Sequence, residues 1–164
     1  MKRILNLTTF ALAAFLLLGT LPVMAIERPF SLNGKGLATF QVNEAGIPIS
    51  ADVTSTSTAT HLGLCTTVGR VTYTPANDPE HPGRLLSSGS GAITAANGDT
   101  VLIEFNGVLD PPPPGSTTGI DNPSFRFVGG TGRFAGASGS AEAVVVVNLG
   151  TGAFEITMVG KIDY

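Results

Sequence analysis

Hydrophobic and polar residues alternate along most of this chain. From Gly36 to Asp163 the apolar positions recur every second residue in short runs, and Gly, Pro, Asn and Asp separate the runs. A period of two belongs to a β-strand with one buried face. On this pattern the chain divides into eight strands, near Gly36–Asn43, Ser50–Thr60, Thr66–Thr74, Leu85–Ala95, Thr100–Leu109, Ser124–Val128, Gly139–Asn148 and Ala153–Asp163. The faces can be named. Val101, Ile103, Phe105 and Leu109 share one side of the fifth strand, opposite Leu102, Glu104, Asn106 and Val108. Phe125 and Phe127 oppose Arg126 and Val128 in the sixth, and Phe154, Ile156, Met158 and Ile162 share one side of the last.

The links between runs are mostly short. Asn97-Gly98 sits between two alternating runs and predicts a tight hairpin with positive φ at both central residues. Gly150-Thr151-Gly152 predicts a second hairpin. Thr74–Gly83 and Asp110–Gly119 are polar and rich in proline, so they read as exposed crossovers; the proline run of the latter also suits a polyproline docking segment. The expected fold is therefore all-β, an eight-stranded antiparallel up-and-down barrel, whose closure leaves no free edge. A two-sheet β-sandwich is the alternative, because strand spacing does not separate the two.

The start of the chain departs from this pattern. Lys2 and Arg3 precede the apolar run "ILNLTTFALAAFLLLG", Pro22 interrupts it, and Val23 and Ala25 stand at small-residue positions before a cut. This is the layout of a signal peptide over residues 1–25, cleaved after Ala25. The run is diluted by Asn6, Thr8 and Thr9, against the roughly 18–20 uninterrupted apolar residues of a membrane span. The expectation is a single exported domain over residues 26–164, secreted or periplasmic, with no membrane insertion after cleavage.

Charge and cysteine content narrow the partners. The formal net charge is −3, and loss of Lys2 and Arg3 takes it two units further negative. No basic cluster offers a nucleic-acid footprint. Cys65 is the single cysteine, so no internal disulfide can form, and a small buried apolar role suits it better than a nucleophilic one.

The candidate chemistry centres on "FVGGTGRFAGASGSA", Phe127–Ala141. Gly130-Thr131-Gly132-Arg133-Phe134-Ala135 fits the spacing of a dinucleotide-binding loop, but that loop needs a following helix within a βαβ unit. Gly136 and Gly139 would interrupt such a helix, and the β-branched run Val144–Val147 favours a strand. The stretch reads instead as a barrel corner. His61 and His81 lack metal-ligand spacing, so no metal and no cofactor is expected. No nucleophile elbow is present, and Ser138 has no evident base. Glu104, Arg126 and Gln41 each interrupt an apolar strand. They could pair and orient a ligand if they face the lumen, or be plain solvent-side residues if they face outward.

The stretch Val128–Gly139 resembles the V-G-G-T-G-x-F-x-x-A-R-G signature of dirigent proteins and the glycine-rich stretch of allene oxide cyclases. "GSGAITAANGDT" and "TATHLG" are similar to segments of bacterial, secreted, allene-oxide-cyclase-like proteins. The resemblance implies a small eight-stranded barrel with an apolar lumen, commonly trimeric. It assigns structural roles to Gly129, Gly130, Thr131, Gly132, Phe134, Gly136 and Gly139, with Phe134 plugging apolar space. It places Ser138 where dirigent proteins carry an arginine linked to the cavity. It also places Gln41, Asn43 and Pro48 near the positions of a cyclase's first-strand glutamate, asparagine and proline, and Cys65 in a pocket segment. Gln41 lacks the negative charge that would stabilise a cationic intermediate. Gln41, Asn43, Pro48, Cys65, Glu104 and Arg126 are thus the candidate lumen and ligand-binding residues. Three functions follow as expectations: a non-enzymatic barrel binding a small apolar or aromatic ligand, an isomerase or cyclase acting by substrate pre-organisation, or a structural envelope oligomer.

Overall fold

Alternation at this scale closes the sheet on itself. A computed structural model describes residues 26–164, and the expected signal peptide and its cleavage site after Ala25 involve residues outside that range. The strands are β1 (Arg28–Val42), β2 (Pro48–Ala59), β3 (Gly63–Pro75), β4 (Leu85–Ala95), β5 (Thr100–Asp110), β6 (Thr118–Asp121), β7 (Ser124–Gly130), β8 (Ser138–Asn148) and β9 (Ala153–Asp163). Every pairing is antiparallel. β1 lies between β2 and β9, β3 and β4 follow β2, and β4–β5 pairing brings the sheet round. The result is a closed eight-stranded antiparallel barrel with one extra strand, and the closure excludes the sandwich.

The extra strand is half of a broken one. β6 and β7 occupy the same slot, both bonded to β5 on one side and β8 on the other. Asn122 and Pro123 separate them, since proline has no amide to give to the ladder. The alternation nonetheless runs through the break: Asp121, Pro123, Phe125 and Phe127 point inward, and Asn122, Ser124 and Arg126 point outward. The sequence pattern marked only the second half of this strand. It also started the first strand eight residues late, because Pro29, Gly34 and Gly36 blur the period of β1.

Inward positions form two apolar clusters stacked along the barrel axis. One end is packed by Phe30, Leu32, Ile93, Val101, Phe127 and Phe134, among others. Phe134 is fully buried, carried there by a short 3-10 turn at Gly132–Phe134 that bridges β7 and β8. Gly132 takes φ +58°, and a Cβ there would strike the Asp99 carboxylate. Thr131 ties the turn to β5, its Oγ1 accepting from the Thr100 amide at 3.0 Å. The glycine-rich stretch is therefore a corner that seats an aromatic plug. The other end holds Ala38, Val71, Tyr73, Leu85, Leu109 and Val147, fringed by half-buried Phe40, Phe105 and Phe154.

Turn chemistry matches the expectation in place and differs in type at one hairpin. Ala96-Asn97-Gly98 joins β4 to β5, with the Gly98 amide donating to Ala95 O and the Ala95 amide to Asp99 O, each at 2.9 Å. Gly98 has φ +89° while Asn97 keeps negative φ. The loop is thus the three-residue kind with a left-handed glycine rather than a two-residue turn with both centres left-handed. The β8–β9 hairpin turns at Gly150–Gly152 as expected, with Asn148 Oδ1 accepting from the amides of Gly150 and Thr151.

Candidate functional site

Between the two clusters the lumen is not filled. A cavity of about 90 Å³ remains, lined by Phe40, Phe105, Phe125, Phe154, Tyr73 and Asp121 together with small residues of β2, β3 and β4. Its room comes from inward positions that carry little or no side chain: Ser55 on β2, Thr67 and Gly69 on β3, and Gly91 on β4. Phe105 leans over its cross-strand partner Gly89, and Phe154 over Gly36, so that a Cβ on either glycine would fall within 2.7 Å of the ring. Phe105 and Phe125 stack in a tilted arrangement with centroids 5.0 Å apart, and Phe40 lies 6.1 Å from Tyr73. The wall is aromatic and aliphatic, as small-molecule sites commonly are.

One corner is polar. Asp121 at the end of β6 is only 7% exposed, and its Oδ1 accepts from Ser87 Oγ of β4 at 3.0 Å. Gly107 of β5 makes this possible, because a Cβ there would lie 2.8 Å from the Asp121 carboxylate and 2.9 Å from Ser87 Oγ. Burial pushes the Asp121 carboxyl above the usual carboxylate range, and nearby Asp110 adds to the rise. The hydrogen bonds from Ser87 and the Asn122 backbone oppose it. Burial, and then the Asp121 charge, likewise push the Tyr73 phenol upward. Among the described residues, Asp121 is the single carboxylate lining the cavity, and no Lys, Arg or His lines it.

The residues singled out from the sequence lie elsewhere. Glu104 and Arg126 do face one another across β5 and β7, but on the outer surface of the barrel, where both are exposed. Gln41 is also exposed, accepting from Ser50 Oγ at 3.1 Å. Inward positions of β1 are the even-numbered ones, such as Ala38 and Phe40, so Gln41 is out of phase with the lumen. Asn43 lies in the exposed β1–β2 link, where its Oδ1 accepts from the Ala45 and Ile47 amides at 3.0 Å, a turn-forming role. Pro48 is half-buried at the start of β2. Cys65 is buried in the packed end, with its thiol 3.4 Å from Ser57 O and its pKa raised by burial, away from the cavity wall. Ser138 is exposed at the start of β8. The structure does not bring these candidates together in the lumen.

Phase explains the miss. Each polar candidate interrupts an apolar run, and in a half-buried strand the interrupting residue belongs to the other face. Asp121 is an inward acid, but "DNPS" reads as a turn, so it never joined a strand whose phase could be followed. Among the described residues, no group of three His, Cys, Asp or Glu side chains is placed to hold a metal ion. Comparison with protein-family models and with curated proteins finds no match.

Proposed function

We propose that this chain is an exported barrel that binds a compact apolar or aromatic molecule in its lumen and performs no chemistry on it. The observation that carries the reading is the unfilled aromatic cavity inside an otherwise well-packed β-barrel. Protein interiors are packed like organic crystals, and space lined by rings and glycines is costly to leave empty. An apolar cavity of about 150 Å³ accommodates benzene. At about 90 Å³ this lumen takes a smaller body, or a similar one once the half-buried rings of Phe40 and Phe154 turn aside. Binding without chemistry is supported by the outward phase of the polar candidates: Gln41, uncharged where the resembling cyclases carry a glutamate, is exposed, and the charges of Glu104 and Arg126 stand outside the lumen. The export half of the proposal rests on the layout of residues 1–25.

Thermal denaturation with small apolar alcohols, phenols, lipids and oxylipins tests the binding. A ligand at about a hundredfold over its Kd adds roughly 2.7 kcal/mol of stability, which in a domain of this size raises Tm by several degrees. The compact members are expected to stabilise and the long-chain lipids not to. No shift with any class would sink the proposal.

A further inference from the structure

The cavity has a chemical polarity that its apolar walls do not require. Ser87 is a neutral donor and so is the Asn122 amide, so the Asp121 carboxylate enters the lumen wall with hydrogen bonds but, among the described residues, no counter-charge. The charged groups around it do not compensate. On β5, Asp110 adds a second negative charge. Arg84, ahead of β4, is already held by Asp110 at 2.7 Å and Asp78 at 3.4 Å, and His81 lies against Asp78 at 2.8 Å. On β3 the facing group is Tyr73, and on β8 the cross-strand partner is Val145. This end of the lumen is a negative, poorly solvated pocket. A carboxylate in such a place is costly unless a cation reaches it.

We infer that the lumen selects a compact apolar amine, with the ligand's ammonium seated against Asp121 and its hydrocarbon body among Phe40, Phe105 and Phe154. The inference rests on the lumen being a ligand site and adds the class of ligand. An ammonium supplies the missing counter-charge and three donors, and it finds a second attraction in the ring faces beside it. A carboxylate of the same shape would bring a second negative charge against Asp121, so it is rejected. A neutral alcohol gains the apolar contact and one hydroxyl donation to the carboxylate, but brings no counter-charge. Amine affinity also depends on pH. It is full where Asp121 is ionised and falls as the pH drops through the raised carboxyl range, because the protonated acid gives the ammonium no charge to meet.

Isobutylamine, isobutanol and isobutyrate share one shape and separate these terms. Titrated into the protein at neutral pH, with methyl NMR shifts at Val71 and Val147 reporting lumen occupancy, the amine is expected to bind at least about tenfold more tightly than the alcohol, as suits a charged hydrogen bond. The carboxylate is expected not to bind. In Asp121→Asn the amine is expected to lose its advantage and fall to the level of the alcohol, whose own affinity changes far less. The pH profile of amine binding to the unaltered protein gives the same answer without a variant. Equal binding of amine and alcohol, or an amine affinity indifferent to pH and to Asp121→Asn, overturns the selectivity and leaves the lumen reading standing. Failure of all three probes to shift the lumen methyls overturns both.

Discussion

The two ends of this barrel are built from the same strands and behave as opposites. At one end, inward positions carry Phe30, Phe127 and Val101, and a 3-10 turn drops Phe134 into what space is left. From the middle of the barrel toward the other end, the same strands turn Ser, Thr and Gly inward, and the rings lie against the wall around the cavity. The first end is solved by volume. The second tolerates a void and a buried acid, both of which cost stability. The difference teaches that close packing is concentrated around the plug, which leaves the rest of the lumen to be shaped for something else.

The sharpest way to break that contrast is to remove the plug. Phe134→Ala deletes a fully buried ring and is expected to cost about 3–5 kcal/mol, measured by chemical denaturation. Phe154→Ala, at the half-buried fringe of the cavity, is expected to cost clearly less. Equal losses at the two positions would erase the distinction between the ends.

A second test uses the sign of a titration. The folded-state pKa of Asp121 lies above its ordinary value, so the native state binds more protons than the unfolded state between the two values. Its contribution to stability is therefore most favourable at low pH and diminishes as the pH rises through the raised pKa. Asp121→Asn removes that term and keeps a Ser87 acceptor. The variant is expected to gain on the parent as the pH rises from the acid range to neutrality, read from urea midpoints at several pH values. A gap that is constant with pH would mean the acid is not desolvated as its position indicates.

The smallest effect belongs to the outside. Glu104→Gln and Arg126→Gln alter an exposed cross-strand pair, and each is expected to change stability by within about 0.5 kcal/mol and lumen binding not at all. A large loss of ligand affinity in either would reopen their claim to the site.

How much of this was legible follows the strength of the alternation. Val101, Ile103 and Phe105 sit in a run so regular that its inner face, and the barrel class with it, could be written down from the chain. Phe134 was legible as a plug only through the glycine pattern around it, since nothing in its own neighbourhood alternates. The site was not legible. Its acid closes a four-residue strand that runs into Asn-Pro, and its volume is made of side chains that are missing rather than present. Gly69 and Gly91 carry no hydrophobic signal, and only the register of β3 against β4 sets them opposite one another.

Those paired glycines bear on how the lumen would drift under random substitution. A Cβ at Gly69 would come 2.8 Å from Ser90 O, one at Gly91 2.7 Å from Val68 O, and one at Gly89 closer still to Arg70 O. All of these contacts are to backbone, which cannot swing aside as a side chain can. The hollow is therefore guarded by the sheet itself. A methyl added there would spoil strand pairing before it took up any space, so a lineage that kept this fold would keep an empty centre, and only its aromatic and acidic lining would be left to vary.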